Sequence, residues 1–276
     1  MPLREGRIRR TRNALLRRVR RWRKRLGWVR RKLSAAPAGV RIFLAAVSVL
    51  STLAVANFVY QLARKPTEMF FPVSGALNKL PAETWRQYGP LFRAYSSPAI
   101  TAELLAALAQ VESAGNPVAR TYWRWRLSWS PFAIYEPASS AVGMYQMTDA
   151  AFDEARRYCI REHAVVEAGC WFNSLYTRVL PSHAIELTSV FLDRDVTAIL
   201  ARQHDATASP QQKQDLAAIV HLCGAGPAQA FARRGFRLGA GERCGDQDPA
   251  KYLARVNAMK RLFRRFDAED SSRRSR

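Results

Sequence analysis

The stretch TAELLAALAQVESAGNP, residues 101–117, is apolar almost throughout, yet it carries an ionisable Glu112 near its end. Leu105, Leu108 and Glu112 follow the i, i+3, i+7 spacing of one helical face, with Ile100, Leu104 and Val111 beside it, so the carboxylate points toward the apolar side. The pattern predicts a helix with Ser97 as N-cap and Pro98 at N1, stopped by Gly115 and Pro117. In the last turn of such a helix the negative end of the dipole and a low-dielectric setting both disfavour the ionised form, which suits a general acid. A glutamate that simply turns into solvent at the helix end is the alternative.

Outward from this segment the chain keeps a helical pattern. TDAAFDEARRYCIREH, SHAIELTSVFLDRDVTAILARQH, QKQDLAAIVHLC and DPAKYLARVNAMKRLFRRF all place apolar residues at spacings of three and four. Thr148 with Asp149, Ser182, and Asp248 with Pro249 supply start signals, Ile185 and Glu186 falling in the first turn after Ser182. No run of alternating apolar residues stands out, so the expected fold class is all-α. PVSGALNKLPAETWRQYGPLFRAYSSP reads as one or two short helices broken by Pro and Gly, and AEDSSRRSR as a disordered tail.

Charge divides the chain unevenly. The first 41 residues hold sixteen Arg and Lys against the single acid Glu5, so they contribute +15 of the net +22 and the remainder only +7. Directly after Arg41, IFLAAVSVLSTLAVANFVY, residues 42–60, has no charged side chain in nineteen positions, enough at ~1.5 Å per residue to cross a bilayer core. Lys and Arg crowd its N-terminal side, so the positive-inside rule places the N-terminus in the cytoplasm and exports everything after residue 62 or so. A cleaved signal peptide with an A-x-A site at Ala54 and Ala56 is the rival, and Arg9-Arg10 is a weak twin-arginine signal. The basic arm suits anionic lipid headgroups; nucleic-acid binding with Trp22 and Trp28 for stacking is its other reading. The expected organisation is a basic cytoplasmic arm at 1–41, a signal-anchor at 42–61, a linker with short helices at 62–97, a catalytic domain at 98–266 and a tail at 267–276.

Cys159, Cys170, Cys223 and Cys244 all lie in the exported part. An even number in an oxidising compartment suggests two disulfides, and proximity favours Cys159 with Cys170 and Cys223 with Cys244. Buried free thiols remain open. A metal site is disfavoured because no C-x-x-C or H-x-x-x-H spacing accompanies them, and no cofactor is expected.

Three more segments bear on Glu112: VGMYQM at 142–147, HLCGAGPAQA at 221–230, and KYLARV at 251–256. In this order they resemble the soluble lytic transglycosylases, a family with a helical, goose-type lysozyme-like fold whose Glu-Ser at a helix end is followed by G-L-M-Q, A-Y-N-A-G-P and a late helix bearing Tyr. The resemblance spans about residues 98–260. It implies Glu112 as the catalytic acid/base and Ser113 as its neighbour. Gly143, Met144 and Gln146 would form the cleft wall, Ala225, Gly226 and Pro227 the A-G-P turn, and Tyr252 the aromatic that approaches the Glu. Gly224 stands where the family has Asn, which leaves His221 as the source of any equivalent substrate hydrogen bond. The segment TYWRWRLSWSPFAIYEP is longer than the family's usual connection; its aromatics with Arg124 and Arg126 suit either core filling or contacts along a saccharide groove.

Most glycosidases need two carboxylates. Glu136, Asp149, Asp153 and Glu186 read as loop, cap and helix-surface residues, so no second acid is paired with Glu112 by motif. The resemblance therefore implies substrate-assisted cleavage of peptidoglycan glycan strands after N-acetylmuramic acid, leaving a 1,6-anhydro end. Its expected setting is a single-pass protein of a bacterial inner membrane with a periplasmic domain. A water-using muramidase and a catalytically weak wall-binding scaffold are the alternatives.

Overall fold

The computed structural model describes residues 35–65, 68–69, 75–203 and 208–274. Most of the basic arm, with Arg9, Arg10, Trp22 and Trp28, lies outside the described residues. The described residues divide into two compact units, one comprising those up to Tyr60 together with Ser128–Ala133, the other Gln61–Leu127 and Ile134 onward.

Helix α1 (Ala38–Arg64), in the first unit up to Tyr60, is unbroken through Ala54 and Ala56, with mean hydropathy 2.2 over its most apolar window. Its 27 residues extend about 40 Å, its apolar side chains, Phe43, Leu50 and Val55 among them, are exposed, and by length and composition it can cross a membrane.

The second unit is mostly helical. It contains α2 (Pro81–Ala94), α3 (Ala102–Ser113), α4 (Asp149–Ala155), α5 (Pro181–Arg202), α6 (Pro210–Cys223), α7 (Ala225–Arg233) and α8 (Pro249–Arg274). At its centre lies α3, in which every residue from Leu104 to Ala109 is buried, so the helix is apolar around its whole circumference. Its main partners are α8 and α2. Trp85, Tyr88 and Phe92 of α2 and Tyr252, Val256 and Phe263 of α8 close the core over it, with Leu216 to Val220 of α6 on another side.

Several local expectations are corrected. Helix α3 starts after Thr101, whose hydroxyl accepts from Leu104 N; Ser97 instead accepts from Ile100 N and donates to Asp193, closing the preceding turn. Helix α2 runs through Gly89 and Pro90, because the buried aromatics on its inner face hold a helix that loses only one backbone bond to the proline. Helix α5 begins at Pro181 with Leu180 rather than Ser182 at its N-cap. By contrast, Thr148 caps α4 and Asp248 accepts from Ala250 N and Lys251 N at the start of α8, as the sequence suggests.

Two antiparallel hairpins interrupt the all-α expectation: β1 (Trp123–Trp125) with β2 (Tyr135–Pro137), and β3 (Cys159–Arg161) with β4 (Ala164–Val166). Three-residue strands are too short to show an alternating pattern. The second hairpin replaces the expected end of the α4 helix: Cys159 is bonded to Cys170, Ile160 N donates to Glu186, and Glu162 and His163 take positive φ at the turn. The last helix continues to Arg274 through residues assigned to a disordered tail. Arg93 pairs with Asp267 and Asp270, and Trp85 Nε1 donates to Asp270, so α2 pins the final turns.

Both disulfides are present, Cys159–Cys170 and Cys223–Cys244.

Candidate active site

Glu112 occupies the last turn of α3. The helix ends immediately afterward with Ala114 at φ 52° and Gly115 at φ 67°, and a side chain at Gly115 would strike Thr84 Oγ1. This abrupt stop leaves the Glu112 side chain 20% exposed, just beyond the sealed α3 residues Leu104–Ala109.

Two groups from distant segments face the carboxylate. Tyr252, on the first turn of α8 and only 2% exposed, donates its hydroxyl to Glu112 Oε1 at 2.6 Å. Burial, and then the neighbouring Glu112 charge, push the Tyr252 pKa well up, so the phenol remains a donor. His221, in the last turn of α6, holds Nε2 at 3.6 Å from the same oxygen. That is beyond hydrogen-bond range but well within electrostatic reach of a protonated ring. The Cys223–Cys244 disulfide fastens the chain two residues after His221, and Gly224, at φ 79°, turns it from α6 into α7.

The loop after the aromatic segment is clamped to the end of α3. Ser113 Oγ lies 2.7 Å from the Met144 carbonyl and 3.1 Å from that of Ala109, donating to these acceptors. Val142 and Met147 exchange backbone bonds at 3.2 Å, and Gly143 N donates to Ala119 O at 2.8 Å. At Gly143, φ is 84° and a Cβ would collide with the Arg178 carbonyl oxygen. Gln146 spends its amide donors on Ala119 O and Gly143 O. Ser113, Gly143 and Gln146 therefore position the loop. Met144 is fully buried in the core instead of lining an open wall, and Tyr145 donates to Leu105 O. Ala225, Gly226 and Pro227 form the exposed first turn of α7, with open space where a Gly226 side chain would be.

Three structural anchors escape a sequence reading. Arg178 donates to Ser140 O and Met147 O and pairs with Asp149 at 2.6 Å, fixing the loop from outside. Glu68 is buried, and gathers Arg120 at 3.1 Å, Trp123 Nε1 at 2.8 Å and Lys65 at 3.4 Å. Glu186, expected on a helix surface, is buried: its carboxylate accepts from Ile160 N at 2.9 Å and Tyr176 OH at 2.7 Å. Burial, and then Glu186, raise the Tyr176 pKa accordingly. None of these residues sits in a motif, and apart from the local Lys65–Glu68 pair each meets its partners through contacts between separate segments.

The other acids weighed in the sequence face arginines: Glu136 pairs with Arg126 at 3.7 Å, Asp149 with Arg178, and Asp153 with Arg156 at 3.1 Å. An open depression of about 760 Å³ beside Cys170 is lined by Asp153, Arg156, Glu167 and Trp171 and includes none of Glu112, His221 or Tyr252.

Compared with known protein families and with curated protein sequences, the chain matches none.

Proposed function

We propose that the chain is a membrane-anchored peptidoglycan lytic transglycosylase with a lysozyme-like catalytic domain. The observation that carries this reading is the 2.6 Å hydrogen bond from Tyr252 to Glu112 at the end of a buried helix. It joins two residues that the motif resemblance pairs, 140 positions apart.

The proposed chemistry uses one acid. Glu112 protonates the glycosidic oxygen, the acetamido group of the N-acetylmuramic acid supports the oxocarbenium centre, and the resulting carboxylate takes the proton of the C6 hydroxyl as that oxygen attacks C1. The C1–O4 bond breaks, a C1–O6 bond forms, and the acid is regenerated. Tyr252 holds the carboxylate in one rotamer throughout. Glu136, Asp149 and Asp153 would each have to be freed from an arginine to act as a second carboxylate, which favours a single-acid route. His221 favours a second reading, hydrolysis by a muramidase, because an imidazole beside the acid is a base able to activate water.

In the proposed setting α1 crosses the bacterial inner membrane with the basic arm on the cytoplasmic side against anionic headgroups, and the domain meets glycan strands in the periplasm. Two disulfides fit an oxidising compartment.

Digestion of purified sacculi by the full-length protein tests this. Glu112→Gln preserves shape and a hydrogen-bond acceptor but removes the proton, and is expected to lower the rate by about a hundred- to ten-thousand-fold. Mass spectrometry of the products is expected to show 1,6-anhydromuramyl ends. Reducing ends would establish the muramidase, and undiminished activity in Glu112→Gln would remove the site altogether.

A further inference from the structure

We propose that the tip of the aromatic hairpin is a second membrane contact, seating Leu127, Trp129 and Phe132 in the headgroup region of the bilayer that α1 crosses. The inference rests on reading α1 as a membrane span.

Between β1 and β2 the chain runs LSWSPFAI, residues 127–134, with no charged side chain. Leu127 and Trp129 are each 105% exposed, and Phe132 and Ile134 are 41% and 39% exposed. Leu127 and Trp129, held wholly in the open, with Phe132 and Ile134 half-exposed beside them in sequence, form a patch that water alone does not favour.

The position of that patch is set by α1. Residues Ser128–Ala133 belong to the same compact unit as the helix up to Tyr60, and the rings of Tyr60 and Phe132 lie 4.9 Å apart. Tyr60 lies one helical turn ahead of Arg64 and Lys65, the first charged residues after Arg41. Nineteen residues at about 1.5 Å each span roughly the thickness of the hydrocarbon core, which puts Tyr60 at the membrane–water boundary. Phe132, packed on that ring, shares its depth. Trp and Tyr are the residues that prefer this layer, because their rings are apolar and their N–H or O–H stays wet.

The tip's backbone is suited to leaving bulk water. Arg126 N donates to Ile134 O at 2.8 Å, Ala133 N to Ser130 O at 3.0 Å and Ser130 N to Ser128 Oγ at 3.1 Å, so several polar groups of the turn are satisfied internally.

The test uses the full-length protein in proteoliposomes of phosphatidylethanolamine and phosphatidylglycerol. The four native cysteines are paired, so single cysteines introduced by Leu127→Cys, Trp129→Cys, Leu50→Cys or Ala240→Cys can carry an environment-sensitive fluorophore. The expected result is blue-shifted emission at positions 127 and 129, with loss of intensity to a nitroxide near the lipid headgroup. Leu50→Cys should respond to a nitroxide deep in the acyl chains, and Ala240→Cys, on an exposed turn, to neither. If 127 and 129 behave like 240 while 50 is quenched, α1 spans the bilayer and the tip contact is refuted. If 50 is also unquenched, both the span and the tip contact fall. A response at 127 and 129 to soluble glycan strands but not to nitroxide lipids would assign the tip to the wall and overturn the proposal.

Discussion

Tyr252 reaches Glu112 from 140 positions further along the chain: the hydroxyl of one meets Oε1 of the other at 2.6 Å, across the interface between α8 and α3. The phenol replaces water as the partner of a carboxylate that is four-fifths covered, and it fixes which oxygen faces outward.

Tyr252→Phe keeps the buried ring and removes only that hydrogen bond. A bond to a charged group is worth ~1.5–3 kcal/mol, so the rate on sacculi is expected to fall by roughly ten- to a hundredfold, less than for Glu112→Gln. Because the Tyr252 pKa lies well above the ordinary tyrosine value, the wild-type pH profile should show no limb from this phenol below about pH 10. Initial rates measured across pH for both proteins check the two statements together.

Gly143 and Gly169 separate backbone strain from collision. Both have positive φ, 84° and 82°, but a Cβ at Gly143 meets the Arg178 carbonyl whereas Gly169 faces open space. Gly169→Ala is expected to cost about 1 kcal/mol and Gly143→Ala distinctly more, with loss of activity as the loop clamped to Ser113 shifts. Thermal or urea denaturation ranks the two, and equal losses would contradict the collision.

Replacing Cys223 and Cys244 together by Ser should destabilise by about 2–4 kcal/mol. Replacing Cys159 and Cys170 should cost ~0.6 kcal/mol less on chain entropy alone, because its sequence separation is 11 against 21. Only the first pair is expected to impair catalysis beyond its effect on stability, since it fastens the end of the helix that carries His221.

Lys260 gives the stability a pH dependence of definite sign. Burial lowers its pKa from 10.5 to about 8, while its ammonium group reaches Gln211 and Asn257. Between pH 8 and 10.5 the unfolded chain holds a proton that the native state has released, so this group makes stability rise with pH in that window and leaves it flat below. Lys65 and Lys79, also lowered chiefly by burial, act in the same sense. Lys260→Met should therefore flatten, without abolishing, the rise in denaturation midpoint between pH 8 and 10.

Helix positions in this chain were legible because their signal is local. The i, i+3, i+7 spacing that put Glu112 on the inner face of α3, the Thr148 and Asp248 caps, the Gly224 turn and the uncharged stretch 42–60 each depend on neighbours within a turn or two. Both disulfides also followed from short separations in sequence.

Where a residue's fate depended on a partner far along the chain, the pattern misled. Glu186 sits on a helix as expected, but Ile160 and Tyr176 bury it; residues 267–274 look like a polar tail, but Arg93 and Trp85 order them as helix. Met144 lies in the predicted segment, yet packing draws it into the core.

The amino-acid sequence by itself determined that Glu112 would end an apolar helix, since periodicity and a glycine stop are properties of one short segment. The resemblance led us to expect Tyr252 beside it, but only the tertiary structure decided the contact itself and the place of His221 on the same oxygen, because both depend on distant segments packing around α3. Burying a helix all round requires distant segments to close over it, and the side chains they bring to its exposed end are set by that packing geometry, which no local window encodes.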